Sequence, residues 1–136
     1  MRVITYLYFK GQCEAAFRFY EASLGGKIET MLSHTGTPAA EHVPHEWRNK
    51  ILHAQLALGD TILLGSDAPP DRYQEPKGFS VSLDTASPAE AERAFNALAT
   101  GGTVRIPLEQ NFFAVRYGTL IDQFGIPWMV VCEKKG

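Results

Sequence analysis

The sequence predicts an α+β fold of two consecutive βαβββ modules, whose eight strands form a curved mixed sheet around a cavity. Two observations support this prediction. Residues 3–34 read as an apolar strand, a helix and a new strand opened by Leu24-Gly25-Gly26-Lys27, and residues 79–107 repeat that order with Thr100-Gly101-Gly102-Thr103. Two further strand-like runs follow in each half. A unit of this kind forms half of a barrel. Two consecutive units are therefore expected to enclose a cavity.

Composition favours an ordinary globular domain. The 136 residues are 45% hydrophobic and 21% charged, which is enough apolar material for one core. The formal net charge of −2 provides no basic field for phosphate backbones, so we expect no nucleic-acid partner. The apolar runs are strand-sized, far short of the roughly 20 residues that span a bilayer, and Met1-Arg2 leads into a strand-like run without a signal-peptide pattern. We therefore expect a cytoplasmic protein with no membrane partner.

The first module begins with Val3–Phe9, whose β-branched and aromatic residues are typical of a strand. A helix is predicted over Cys13–Leu24, because its apolar residues recur at helical spacing and Gly25-Gly26 ends it. The predicted buried face of this helix is Ala16, Phe17, Tyr20 and Leu24. The strand Lys27–Ser33 follows, and Ile51–Leu58 and Thr61–Leu64 form a hairpin around Gly59-Asp60. Residues 34–49 contain two prolines and no periodicity, which predicts a lid or a disordered flap.

The second module has the clearest helix start. Ser87 as the cap, Pro88 at the first helical position and Glu90 at the third agree with one another. The predicted buried stripe of this helix is Ala91, Ala94, Phe95 and Leu98. The predicted strands are Phe79–Leu83, Thr103–Ile106, Phe112–Ile121 and Ile126–Cys132, with the turn Asp122-Gln123-Phe124-Gly125 between the last two. We expect one domain over residues 1–136, made of a module 1–66, a linker 67–77 and a module 78–136.

Alternation along the strands predicts which side chains face the cavity, because successive side chains point to opposite faces of a sheet. In Ile51–Leu58 one set is uniformly apolar and is expected under the helix, so His53 and Gln55 face the cavity. The same reasoning places Ser80 and Ser82 on the cavity side.

Two other strands complete the predicted lining. In Phe112–Ile121 alternation directs Arg116 into the cavity. The first strand is ambiguous, since both of its sets are apolar or aromatic. The side chains facing the cavity there are either Thr5, Leu7 and Phe9 or Tyr6 and Tyr8.

A largely apolar hollow with a few polar groups is typical of a small-molecule site, whereas the alternative is a filled core whose polar groups satisfy one another. In such a site His53 is a candidate general base, and otherwise it is a hydrogen-bonded core histidine. Arg116 requires an anion, which is either a ligand carboxylate or phosphate or an internal acid such as Asp67 or Asp122.

Other reactive groups are interpreted more simply. Cys13 and Cys132 are expected to be reduced, unpaired thiols, although a place for Cys13 in the first helical turn would lower its pKa and favour a nucleophile. His42, His45 and Glu46 resemble half of a metal site, but they lie in the proline-containing loop, so we expect them to be solvated.

Several segments in a fixed order resemble the PhnB-like branch of the vicinal oxygen chelate superfamily. That superfamily includes glyoxalase I, extradiol dioxygenases, fosfomycin-resistance enzymes and bleomycin-binding proteins. The resemblance covers nearly the whole chain and implies a glyoxalase-like fold and a homodimer. The segments are Tyr6-Leu7-Tyr8-Phe9, Ala16-Phe17-Arg18-Phe19-Tyr20, Leu24-Gly25-Gly26, Ile51-Leu52-His53-Ala54, Gly65-Ser66-Asp67, and Tyr117-Gly118 through Asp122-Gln123-Phe124-Gly125-Ile126-Pro127-Trp128.

The resemblance also allows a test for a metal. Metal-dependent members place His, Gln or Glu ligands at four inward positions, one on each of four strands. By strand register these positions correspond here to Thr5, Leu63 or Leu64, Gly78 or Phe79, and Met129. None of these is a good ligand for Mg, Mn, Zn or Fe(II), which prefer imidazole or carboxylate, so we expect no metal and no cofactor.

These expectations combine into one functional prediction, a metal-free protein that binds a small organic molecule for sequestration or sensing. The alternatives are an enzyme of the superfamily (an isomerase, lyase or oxygenase), with His53 as base or with misplaced metal ligands, and an inert dimerisation scaffold. The branch is often labelled a demethylubiquinone methyltransferase, but the sequence lacks the glycine-rich strand-to-helix loop that a methyl-donor site would normally need. The predicted ligand-binding residues are Thr5, Tyr6, Tyr8, His53, Gln55, Ser80, Ser82, Arg116 and Met129.

Overall fold

A computed structural model describes residues 1–134 of the chain. The chain forms two compact units, Met1–Gln74 and Glu75–Gly136. Each unit combines one α-helix with a mixed four-stranded sheet, so the described residues contain the predicted eight strands in two open sheets. The α+β class and the repeated βαβββ order predicted from the sequence are confirmed.

The first unit contains β1 (Thr5–Phe9), α1 (Cys13–Leu24), β2 (Lys27–Ser33), β3 (Ile51–Leu58) and β4 (Thr61–Asp67). Strand β1 pairs in parallel with β4, and the sheet order is β1-β4-β3-β2 with antiparallel pairing elsewhere. Helix α1 connects the two edge strands and packs on this sheet through the buried residues Cys13, Ala16, Phe17 and Tyr20, whereas Leu24 is only half-buried.

The second unit repeats this topology with β5 (Val81–Asp84), α2 (Pro88–Ala99), β6 (Thr103–Glu109), β7 (Ala114–Ile121) and β8 (Pro127–Glu133). Strand β5 pairs in parallel with β8, and the sheet order is β5-β8-β7-β6. Helix α2 buries Ala91, Ala94, Phe95 and Leu98, which is the predicted stripe.

The start of α2 confirms the predicted capping box. The Ser87 Oγ accepts a hydrogen bond from the Glu90 amide at 3.1 Å, and the Glu90 Oε1 accepts one from the Ala86 amide at 3.2 Å. These bonds satisfy two amides that the first helical turn would otherwise leave without partners. Neither α1 nor α2 is long and apolar enough to cross a membrane.

The loop 34–49 differs from the flap predicted for it. It contains two short 3₁₀ helices, Pro38–His42 and His45–Trp47. The first begins at Thr37, whose hydroxyl accepts a hydrogen bond from the Ala39 amide at 3.2 Å. Such single-turn helices leave no periodic pattern in the sequence, because local caps stabilise them and they need no apolar face.

Strand ends also differ from the prediction. Strand β4 continues beyond Leu64 to Asp67, and both Ser66 and Asp67 are buried. Strand β5 begins only at Val81, so Phe79 and Ser80 precede it. Strand β7 begins at Ala114, which leaves Phe112 and Phe113 in the preceding turn.

Candidate functional site

The first strand shows which of its two faces is open. Leu7 and Phe9 are buried, and the Phe9 ring lies 6.2 Å from the Phe17 ring of α1, so this face is under the helix. Alternation places Tyr6 and Tyr8 on the opposite face, where they are 37% and 55% exposed. Of the two alternative sets in this strand, Tyr6 and Tyr8 therefore lie on the open face of the sheet.

Three predicted site residues form a cluster that we call the aromatic face: Tyr6, Tyr8 and His53. The Tyr6 and Tyr8 ring centroids are 4.9 Å apart, and the Tyr6 and His53 centroids are 6.4 Å apart. His53 lies on β3 and pairs with Leu32 of β2, which is itself exposed. The rings thus border a mainly apolar surface that solvent can reach.

Gln55 lies in the same sheet but is already engaged. It pairs with Leu64 of β4, which pairs in turn with Tyr6, so these residues share one row across the sheet. Its amide Nε2 donates a hydrogen bond to the Glu29 Oε1 at 3.2 Å. A ligand contacting Gln55 would therefore meet an amide that is oriented by a carboxylate.

Thr5 does not belong to the aromatic face. It has the same parity along β1 as the buried Leu7 and Phe9, so its side chain is on the helix side of the sheet. Thr5 is therefore separated from the two tyrosines, and its part in ligand binding stays a prediction.

In the second unit Ser82 and Met129 are neighbours in the parallel register of β5 and β8. Their face is the one away from α2, because Trp128 and Val130 on either side of Met129 are buried. Ser80 lines a cavity of about 410 Å³, and neither Ser82 nor Met129 is part of that lining.

The prediction that Arg116 points into the cavity is wrong. Along β7 it shares a face with Gly118, where an added Cβ would lie 2.8 Å from the Phe95 Cε2 of α2. The Arg116 Nε donates to the Glu92 Oε1 on α2 at 3.0 Å, so its anion is neither a ligand nor Asp67 nor Asp122. Gly118 identifies this face of β7 as the one under α2, because only a residue without a side chain fits beside the Phe95 ring.

The two acids considered as partners of Arg116 instead bind backbone amides. The Asp67 Oδ1 accepts from the Gly11 and Cys13 amides, both at 2.9 Å, and its Oδ2 accepts from the Ile51 amide at 2.8 Å. Asp122 accepts from two amides of its own turn and, at 2.8 Å, from the Trp128 Nε1. Both carboxylates are structural.

Comparison with known proteins identifies the family to which the chain belongs. A family model described as 3-demethylubiquinone-9 3-methyltransferase matches residues 1–131. The chain belongs to this family. Protein YjdN of Escherichia coli strain K12 is 30% identical to it, over 99% of this chain and 97% of YjdN.

Solved structures extend the comparison to the fold. Protein PA1353 from Pseudomonas aeruginosa is 44% identical, with a TM-score of 0.90 and 99% of each chain covered. A PhnB protein from Bacillus cereus, described as a putative 3-demethylubiquinone-9 3-methyltransferase, is 20% identical, with a TM-score of 0.80 over 97% of this chain and 99% of that one. The fosfomycin resistance protein FosX from Mesorhizobium loti shares the fold at 10% identity, with a TM-score of 0.63 over 96% and 90% of the two chains. The predicted PhnB-like resemblance and glyoxalase-like fold are therefore confirmed.

The side chains of this PhnB-like protein do not fit a divalent cation at the four positions tested from sequence. Thr5 and Leu63 lie on the helix side of their sheet, while Leu64 and Met129 offer an aliphatic group and a thioether on the open faces. The remaining position holds either Gly78, which has no side chain, or Phe79, whose ring is not a ligand. Across residues 1–134 no three His, Cys, Asp or Glu side chains are grouped so as to hold a metal ion.

Cys13 is in the first turn of α1, as predicted, but it is not an activated thiol. Its side chain is fully buried, and burial, reinforced by the negative charges of Asp67 and Glu14, raises the pKa of the thiol far above its ordinary value of 9.0. Desolvation thus outweighs any lowering by the helix dipole.

This raised pKa predicts a loss of stability in alkaline solution. Above about pH 9 the unfolded chain releases the Cys13 proton and the folded chain keeps it, so unfolding becomes easier as pH rises. Relative to Cys13→Ala, the natural protein should lose about 1.4 kcal/mol of unfolding free energy per pH unit above that point. Urea denaturation of both proteins from pH 7 to 10.5 measures this difference, and parallel stability curves would contradict it.

Proposed function

We propose that the protein binds a small, flat organic molecule on the aromatic face and that binding needs no resident metal. The observation that carries the proposal is the cluster of Tyr6, Tyr8 and His53 on the open side of the first sheet. Exposed aromatic rings that are not used in a core provide stacking area at low conformational cost.

The surroundings of the cluster add selectivity. The His53 imidazole and the Gln55 amide, oriented by Glu29, supply hydrogen-bonding groups beside the rings. Such a mixture of apolar area with a few oriented polar groups is typical of small-molecule sites. The proposed role is sequestration or sensing by a cytoplasmic homodimer, in keeping with the PhnB-like resemblance.

Catalysis with His53 as a general base is the second candidate, because His53 is half-buried on the same open face as the tyrosines. The arrangement predicted from sequence paired it with Arg116 as the group that polarises an oxyanion. Since Arg116 is bonded to Glu92 on the helix side of β7, an enzyme would need another oxyanion donor.

The stacking proposal is tested with 2-naphthol, a neutral flat probe, titrated into the protein and followed by amide chemical shifts. Loss of an aromatic pair costs about 0.5–1.5 kcal/mol in addition to the lost apolar contact area, so Tyr8→Ala should weaken binding about tenfold. Phe112→Ala is the matched control, because Phe112 is an 89% exposed aromatic residue outside the aromatic face. Equal weakening in both variants, or no shifts in β1 and β3, would refute the proposal.

Two further measurements separate the alternatives. Metal analysis of the purified protein tests the metal-free part, which a stoichiometric bound ion would overturn. If a turnover is found, its loss in His53→Ala with 2-naphthol binding retained would favour the enzyme over the binding protein.

A further inference from the structure

The second unit contains a cavity that the functional proposal above does not use. Its volume is about 410 Å³, which lies in the range of sites for small ligands. The segment before β5, two consecutive residues of β6, the end of β7 and the start of β8 form its walls.

The charged residues of this lining are both cations. Lys77 and Arg105 contribute the charge, and the hydroxyls of Ser80 and Thr119 contribute neutral polar groups. No aspartate or glutamate lines the cavity. The lining therefore carries two positive charges with no acid among its members.

Neither cation is neutralised elsewhere in the part of the chain that the structure describes. Two ion pairs seen within residues 1–134, Arg18 with Glu14 and Arg116 with Glu92, involve neither Lys77 nor Arg105. Arg116 shows the contrast, because an arginine with its own carboxylate has no need of an external anion. Lys77 and Arg105 are both solvent-exposed, so two cations without a carboxylate partner are free to attract an anionic group from solution.

The rest of the lining is apolar. Phe79 is 50% exposed and Ile106 is 46% exposed, and Pro127 lies in the same lining. Ile106 pairs with Thr119 across β6 and β7, which places an apolar surface next to a hydroxyl. An inorganic ion would leave this apolar area unused, whereas an organic anion would cover it.

We infer that this cavity binds a small organic anion, in which a carboxylate or phosphate contacts Lys77 and Arg105 and an apolar body packs on Phe79 and Ile106. All of these residues belong to the second unit, so the inference does not rest on the aromatic face of the first unit. Its test can fail or succeed independently of 2-naphthol binding.

The probe is phenyl phosphate, with phenol as its neutral counterpart and inorganic phosphate as the anion without an apolar body. Titration followed by amide chemical shifts should show phenyl phosphate binding at least tenfold more tightly than either control, with shifts at residues 105–106 and 119–121. Arg105→Gln and Lys77→Gln should each weaken binding at least fivefold. Arg93→Gln removes the same charge from an exposed position on α2 and should leave binding unchanged.

The apolar contribution is tested separately. Phe79→Ala should weaken phenyl phosphate binding and leave the affinity for inorganic phosphate unchanged. Equal affinity for phenyl phosphate and phenol, equal effects of Arg93→Gln and Arg105→Gln, or shifts that avoid β6 and β7 would each overturn the inference. Thermal melts of each variant confirm that a loss of binding is not a loss of folding.

Discussion

Asp67→Asn is expected to lower the free energy of unfolding by about 2–4 kcal/mol, through the loss of buried, charge-assisted hydrogen bonds. Asp67 is 7% exposed and its carboxylate accepts three backbone amides, those of Gly11, Cys13 and Ile51. These amides lie before α1, at the first residue of α1 and at the first residue of β3. One side chain at the end of β4 thus connects that strand to the start of α1 and to the start of β3.

Asparagine keeps the shape of the aspartate side chain but has only one acceptor oxygen in place of two. One of its two terminal atoms is an NH₂ group, which would face either the Ile51 amide or the amides of Gly11 and Cys13. At least one buried N–H is then left without an acceptor, and a buried unpaired donor costs about 1–3 kcal/mol. The remaining bonds also lose the strength that comes from a full negative charge.

Asp71→Asn is the matched control, because Asp71 is exposed and the charge change is the same. Urea denaturation followed by circular dichroism should show a change within about 0.5 kcal/mol for this control. If Asp67→Asn and Asp71→Asn unfold at the same urea concentration, the carboxylate does not hold these segments together.

The helices could be predicted from sequence because their determinants are local. Cys13–Leu24 and the start of α2 at Ser87-Pro88 follow from spacing, a cap and glycine stops that lie within a few residues of each other. The order of strands within each sheet is not local in this way. The strands that flank each helix in the chain lie at opposite edges of the sheet, and the parallel partners are β1 with β4 and β5 with β8.

The faces of the strands were harder to predict, because a face is defined by what packs on it. Both sets of side chains in β1 are apolar or aromatic, and only the contact of Phe9 with Phe17 shows which set is under the helix. Alternation alone likewise predicts the wrong face for Arg116. The small residue beside it, Gly118, indicates the helix side only once the position of the Phe95 ring is known.

The cationic cavity could not be predicted from the pattern of the strands. Lys77 lies in the segment interpreted as a linker, and Arg105 lies on β6, where the pairing shifts between Val104 and Ile106. A shift in register breaks the alternation on which the prediction of faces depends. Only the fold brings these two positive charges into one lining.

The repeated Gly-Gly pairs predict a large effect at their second members and a smaller one at their first. Gly25 and Gly101 have φ values of 76° and 72°, which favour glycine. Gly26 and Gly102 are required for space. A Cβ on Gly26 would lie 2.5 Å from the Ala57 carbonyl oxygen, and one on Gly102 would collide with the Ile121 carbonyl oxygen. Gly26 and Gly102 each directly precede the strand that follows a helix, at the point where that strand pairs with the end of the next strand in the chain.

Gly26→Ala and Gly102→Ala should therefore each lower the free energy of unfolding by about 3 kcal/mol or more, at the upper end of overpacking costs, because a backbone carbonyl cannot move aside as a side chain can. Gly25→Ala meets no atom within 4 Å and should cost only the left-handed backbone conformation, about 1–2 kcal/mol. Urea denaturation of the three variants gives the comparison within one motif and between the two units. If Gly25→Ala is as damaging as Gly26→Ala, backbone conformation and not close approach explains the repeated pair.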